Sequence, residues 1–262
     1  MLGAIAGDII GSYYEHFPTK SSDFFLYRED SGFTDDTVLT AAVAQWLMDE
    51  TDLVDMLHRY VAWYPYAGYG ATFIRWAQCG EREPYDSWGN GSAMRVSPCA
   101  WFATSLEEAI QLATASSVIT HNHPDGVRGA VATAGAIYLA RAGGTKDWIR
   151  DFVCAECDYD LTRSLSEIRE RYIFDVSCNG SVPEAITAFL ESDGYETAIR
   201  NAVSLGGDAD TQAAIAGAIA EAYYGPIPKD IYTETVVRLD VRLLAVMTRF
   251  YETVFKRPMF VA

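Results

Sequence analysis

Two short acidic stretches, each at the mouth of an apolar run, do most to constrain what this chain can fold into. In GFTDDTVLT, residues 32–40, Asp35 and Asp36 lie between Thr34 and Thr37, directly before Val38, Leu39, Ala41, Ala42 and Val43. In GGDADT, residues 206–211, Asp208, Asp210 and Thr211 precede a second apolar helical pattern. Both stretches set Asp and Thr oxygens at a helix N-terminus. Capping accounts for one such residue per helix, since a carboxylate near the helix dipole is worth about 0.3–1 kcal/mol. It does not account for a cluster, because adjacent carboxylates repel unless a cation lies between them. Asp and Thr are hard oxygen donors that suit Mg²⁺, Mn²⁺ or Ca²⁺ rather than Zn²⁺. Asp208 follows Asp36 by 172 positions, so only the fold can join the two halves of such a site.

The pattern around these clusters is helical almost throughout. TDDTVLTAAVAQWLMDE carries Val38, Leu39, Ala41, Ala42, Val43 and Trp46 at helical spacing behind N-cap residue types. TDLVDMLHRYVAWYP repeats the pattern from Thr51 to a stop near Pro65. SLEEAIQLATASSVITH opens with a capping-box pattern at Ser105, with Glu107 and Glu108 in its first turn. GVRGAVATAGAIYLARAG ends at Gly143 and Gly144, and SVPEAITAFLES places Pro183 and Glu184 in a first turn. DTQAAIAGAIAEAYYGPIP stops at Gly225 before Pro226, and DIYTETVVRLDVRLLAVMTRFYETVF closes the chain as helix. The best strand candidate is RYIFDVSC, residues 171–178. Loops are expected near 17–33, 78–92, 121–126, 174–182 and 204–209. No repeat, low-complexity tract or linker is visible, so the expectation is one all-α domain over residues 1–262, built from many short helices.

Composition narrows the function classes. Half of the 262 residues are hydrophobic, enough for one substantial core. The net charge is −16, and an acidic chain with no basic run argues against nucleic acid or anionic membranes as partners. No apolar run reaches the ~18 residues of a membrane span. The opening MLGAIAGDII has no basic region and carries Asp8, which argues against a secretory leader. The five cysteines are an odd number in a chain too large to depend on disulfides, which points to a reducing, cytoplasmic setting.

A third acidic feature lies in GAIAGDIIGSYYE. Gly3, Gly7 and Gly11 recur every four residues and make a smooth ridge on a helix, against which another backbone can come close. Asp8, Ser12 and Glu15 share one face beside that ridge. The flanking Ala4, Ile5, Ile9 and Ile10 imply burial on most sides, and a carboxylate in such a place has a partner or a job. SWGNGSAMR sets two glycines and small polar residues before a helical pattern, where exposed backbone N–H groups suit a phosphate. His121 and His123 flank Asn122 without a cysteine or third histidine nearby and read as a polar loop. Cys154 and Cys157 form a single CxxC, read as structural. The aromatic residues Tyr13, Tyr14, Tyr64, Tyr66, Tyr69 and Trp88 are given no role, since most aromatics are packing.

Taken together, GDIIGSYYE, TDDT, GNGSAMR, THNHPDG and GGDADT resemble, in order and context, the motifs of the ADP-ribosylglycohydrolases, which include the dinitrogenase reductase-activating glycohydrolases and the ADP-ribosyl-acceptor hydrolases. The resemblance runs from about residue 2 to 225. It implies an all-α orthogonal bundle that holds two divalent metal ions, Mg²⁺ or Mn²⁺, in a cleft. It implies that Thr34, Asp35 and Asp36 supply one half of the metal site and Asp208, Asp210 and Thr211 the other. Glu15 matches the family glutamate that reaches the metals and the scissile bond. Gly89, Asn90, Gly91 and Ser92 match the loop that holds ADP-ribose, and His121 matches a histidine facing its diphosphate.

The implied activity is metal-dependent hydrolysis of the glycosidic bond between ADP-ribose and a modified protein or small-molecule acceptor, with ADP-ribose as product. Nucleic acid would enter only as an ADP-ribosylated acceptor. Such hydrolysis passes through an oxocarbenium-like state, commonly served by two carboxylates. Two metals can instead orient the ribose hydroxyls and a water, while a carboxylate in reach takes the water's proton. Glu15 is the first candidate for that base, with Asp35 and Asp36 behind it. The same oxygen ligands would also serve a two-metal phosphoesterase acting on a nucleotide-like substrate, and a non-catalytic ADP-ribose-binding protein is the third reading.

Overall fold

In the computed structural model, which describes residues 1–256 and 259, the chain is all-α, with fifteen helices among the described residues. The last residues of the expected 1–262 domain otherwise lie outside the described set. The first helices are α1 (Leu2–His16), α2 (Asp35–Asp49), α3 (Leu53–Trp63), α4 (Ala71–Gln78) and α5 (Gly91–Met94). There follow α6 (Ser97–Phe102), α7 (Leu106–Val118), α8 (Pro124–Arg141), α9 (Lys146–Cys157) and α10 (Leu165–Arg171). The last are α11 (Cys178–Leu190), α12 (Tyr195–Val203), α13 (Ala209–Tyr224), α14 (Lys229–Val236) and α15 (Val241–Phe255). Among the described residues no helix is long and apolar enough to cross a membrane.

The glycine ridge of α1 has its partner in α13. A Cβ placed on Gly3 would lie 2.3 Å from Gly217 O, one on Gly7 2.1 Å from Ala213 O, and one on Gly11 2.4 Å from Ala209 O. A real Cβ cannot come so near a carbonyl oxygen, so the two backbones touch only because these residues have no side chain. Numbers rise along α1 as they fall along α13, so the helices are antiparallel. The C-terminal end of α1 therefore meets the N-terminal end of α13, which carries Asp208 and Asp210. α2 joins the same corner. The Asp8 carboxylate on α1 accepts from Thr34 N at 3.0 Å, Thr34 Oγ1 at 2.7 Å and Thr37 N at 3.1 Å.

Several boundaries differ from the sequence expectation. Residues 172–177 form no strand, and the segment makes a single antiparallel bridge between Gly89 and Ser177. α11 starts at Cys178, five residues before Pro183, because Ser177 Oγ accepts from Gly180 N at 2.9 Å and caps it there. The proline therefore lies inside the helix rather than in its first turn. The closing helix is two, α14 and α15, with Asp240 Oδ1 accepting from Arg242 N and Leu243 N to start the second. Ser105 caps α7 through Glu108 N, but the Glu108 carboxylate turns back to Thr104 N rather than completing a box on Ser105.

Candidate active site

The corner where α1, α2 and α13 meet forms one wall of a cleft of about 740 Å³, within the ~300–1,000 Å³ usual for a small-molecule site. Glu15, Thr34, Asp35, Asp36, Asp208, Asp210 and Thr211 all line it. The opposite wall carries Gly89, Asn90, Gly91 and His121. Sequence positions far apart are thus brought to one cavity.

The acidic side chains fall into two overlapping sets. Carboxylate oxygens of Asp8, Asp36 and Asp210 lie within 4.8 Å of one another, and so do those of Glu15, Asp208 and Asp210. Asp210 belongs to both sets. Asp35 belongs to neither, but its backbone N–H donates to Ala67 O at 2.7 Å, which ties α2 to the 64–70 loop. Thr211 Oγ1 donates to Asp36 Oδ2 at 3.2 Å and so links the TDDT and GDADT clusters directly. Asp208 is held from the other wall by Asn90 Nδ2 at 2.7 Å.

Asp8 was visible in the sequence only as a buried carboxylate on the Glu15 face. Here it is both the outside cap of α2 and a member of one acidic set. Because Thr34 Oγ1 also accepts from Asp36 N, the start of α2 is capped without the side chains of Asp35 and Asp36. Asp36 Oδ1 is buried with no hydrogen-bond partner among the described residues. A buried, unsatisfied carboxylate oxygen costs at least about 1–3 kcal/mol. A hard cation held by the set that contains Asp36 would satisfy it, so the donor set fits a divalent ion bound through oxygen.

Electrostatics agree with that fit. Burial, then the Asp210 charge, raises Asp8 to about 7 against hydrogen bonds from Thr37 and Thr34 that pull it down. Burial, then Asp210, raises Glu15 to about 7 as well, with His16 opposing. Asp35, Asp36 and Asp208 are pushed well above the usual carboxylate range, by burial first and by Asp210 next.

The GNGS turn behaves differently from its expected form. The helix after it, α5, is only four residues long, so it offers little dipole. Two of the turn's N–H groups are already used, Gly89 N by Ser87 Oγ and Asn90 N by Val176 O. Asn90 reaches across to Asp208 rather than outward, and Ser92 Oγ is buried and donates to Gly126 O at 2.6 Å. Ser92 does not line the cleft, so its hydroxyl is no ligand donor here. His121, expected in a polar loop, is buried, and its Nε2 lies 3.0 Å from where a Cβ on Gly91 would be. Tyr66 and Trp88 are the cleft-lining members of the aromatic residues left without a role. The CxxC cysteines are both free thiols.

The chain is similar to known proteins over most of its length. The family model described as ADP-ribosylglycohydrolase matches residues 1–256. The human ADP-ribosylhydrolase ARH3 is 29% identical, over 86% of this chain and 84% of its own. The ADP-ribosylarginine hydrolase Tri1 of Pseudomonas putida (strain GB-1) is 25% identical over 86% of this chain and 69% of its own. The ADP-ribosyl-(dinitrogen reductase) glycohydrolase of Rhodospirillum rubrum is 25% identical over 92% of this chain and 89% of its own. A solved ADP-ribosylglycohydrolase-related protein complex contains a chain that superposes with a TM-score of 0.74 at 26% identity, covering 97% of this chain and 95% of that one.

Proposed function

The chain belongs to the ADP-ribosylglycohydrolase family and is a hydrolase of ADP-ribose glycosidic bonds, and we propose that it does this work in the acidic cleft, as one domain, with two divalent cations. The observation that carries the reading is the pair of carboxylate sets sharing Asp210, one of which includes Asp36 with its orphaned oxygen. The first cation would be held by Asp8, Asp36 and Asp210, and the second by Glu15, Asp208 and Asp210, with Thr34, Asp35 and Thr211 around them. Mg²⁺ or Mn²⁺ suits such oxygens, and when bound would supply Lewis-acid polarisation and a more acidic water.

The rest of the work falls to the chain's own residues. Glu15 is half-buried at the cleft and takes the proton of the attacking water. As water adds at the anomeric carbon, the bond to the acceptor breaks, and the proton on Glu15 returns to the departing acceptor. Asn90 holds Asp208 from across the cleft, and Thr211 holds Asp36 within the acidic corner. Gly89 and Gly91 leave the backbone uncovered beside His121, where the ligand's phosphates would lie.

Family membership favours glycosidic over phosphoester cleavage and an enzyme over a bare binding module. The relatives' printed names support ADP-ribosylated protein as the substrate class. Incubation with ADP-ribosyl-arginine, ADP-ribosyl-serine and a plain phosphodiester in Mg²⁺ or Mn²⁺ tests this. Free ADP-ribose should appear from at least one ADP-ribosylated acceptor and the phosphodiester should stay intact. Phosphodiester cleavage alone would overturn the reading.

Gly91→Val tests the ligand wall. Its Cβ would press within 3.0 Å of His121 Nε2 and fill the approach to the turn. Calorimetry should show weaker ADP-ribose binding than in the wild type, with stabilisation by divalent cations unchanged. Equal affinity in the two proteins would move the ligand away from residues 89–92.

A further inference from the structure

Behind His121 lies a buried chain of polar groups that the reaction scheme does not use. Arg95, from the end of the GNGSAMR segment, is fully buried. Its Nη2 donates to Ser116 O at 2.7 Å and to Thr120 Oγ1 at 2.9 Å. Thr120 Oγ1 is in turn 2.8 Å from His121 Nδ1. The ring is fixed from its backbone as well, since His121 N donates to Ser117 O and Ser117 Oγ donates to His121 O.

We infer that Thr120, oriented by Arg95, is a positioning residue that holds His121 as its Nε2–H tautomer, with the N–H aimed at the Gly89–Gly91 turn. The argument is one of donor supply. A guanidinium only donates, so Thr120 Oγ1 must accept from Arg95. A hydroxyl carries one hydrogen, and among the described residues the one remaining partner for it is His121 Nδ1. Nδ1 therefore accepts, and a neutral ring then carries its proton on Nε2. Nε2 has no hydrogen-bond partner among the described residues and faces Gly91 and Gly89, at 3.0 and 3.7 Å from their would-be Cβ positions. Burial, then the Arg95 charge, holds His121 well below the usual imidazole range, which keeps the ring neutral.

Arg95 adds a second observation that points to an anion. Its Nε and Nη1 are buried with no partner among the described residues. This leaves an uncompensated cation in the cleft wall of an otherwise acidic chain. A neutral N–H donor backed by a buried positive charge suits a phosphate oxygen of a nucleoside-diphosphate sugar. The inference rests on the proposed ligand wall for its purpose, though not for its geometry.

Long-range nitrogen–proton NMR of the ring, without ligand, tests the relay directly, and the chain has only four histidines to assign. The wild type should show a protonated Nε2 and a bare Nδ1 at His121. Thr120→Val should remove that bias and weaken ADP-ribose binding by about 2–13-fold, the effect of one hydrogen bond. Thr120→Ser keeps the hydroxyl and should restore both, while the thermal shift with Mg²⁺ stays constant throughout. A wild-type Nδ1–H tautomer, or a tautomer unchanged in Thr120→Val, overturns the relay. The expected tautomers in a wild type that fails to bind ADP-ribose would uphold the relay and overturn only the ligand reading.

Discussion

Glu15→Gln is expected to lower turnover on an ADP-ribosylated substrate by about 10²–10⁴-fold, the usual contribution of a positioned general base. ADP-ribose should still bind, because the amide keeps the shape of the side chain. Glu15 ends the polar face that begins at Asp8, one helical turn beyond Gly11, where α1 crosses the start of α13. That position leaves it partly exposed while one of its carboxylate oxygens stays within 4.8 Å of an oxygen of Asp208 and of Asp210. Of the carboxylates at the corner it is therefore the one that both touches the acidic cluster and reaches incoming water. Its proton affinity is raised to about 7 by burial and by Asp210, so it can accept a proton near neutrality without being too weak a base. The acidic limb of the wild-type rate profile should lie at or below that pH, since bound cations favour the ionised carboxylate. The limb should disappear in the glutamine variant. Unchanged turnover would remove Glu15 from the mechanism.

Much of this corner was legible in the sequence, and the legible part had a local cause. Gly3, Gly7 and Gly11 announce a close helix crossing because no other residue type allows it, yet nothing local names α13 as the partner. Asp35, Asp36, Asp208 and Asp210 stood out because they exceed what two helix caps need. Asp8 was only half read. Its job is to cap a helix 26 residues later, and such a cap leaves no mark at the usual N-cap spacing. The 171–178 run misled for a related reason. Ile173, Phe174 and Val176 are exposed, and Phe174 and Val176 line the cleft. Their alternation reflects a wall beside the GNGS turn, held by Val176 O and Asn90 N, rather than membership of a sheet. The Arg95–Thr120–His121 chain was invisible because a guanidinium is an unexpected core residue and the contact spans α5 to the end of α7.

Stripping divalent cations is expected to make the fold lose stability as pH rises from about 5 to 7.5. The unfolded chain releases its Asp and Glu protons near pH ~4. The folded chain holds those of Asp8 and Glu15 up to about 7. Between these values the folded state binds more protons than the unfolded one, so stability falls with rising pH and the favourable contribution is gone above about pH 7. A cation does at pH 7.5 what protons do at pH 5. Mg²⁺ or Mn²⁺ at about a hundred times its dissociation constant should add about 2.7 kcal/mol. For a chain of this size that is a rise of roughly 5–10 °C in Tm at pH 7.5, with a smaller rise at pH 5 where protons compete. EDTA should reverse it. Asp36→Asn and Asp210→Asn separate a cation site from a general need for charge. Each removes one of the repelling carboxylates, so each should raise the cation-free Tm at pH 7.5 while reducing the gain from added metal. Capping alone predicts the opposite for the first of these, a protein destabilised at every pH and indifferent to metal. A wild type whose Tm ignores millimolar Mg²⁺ and Mn²⁺ would mean that protons alone relieve the repulsion within the acidic sets, and the proposed cation chemistry would have to be withdrawn.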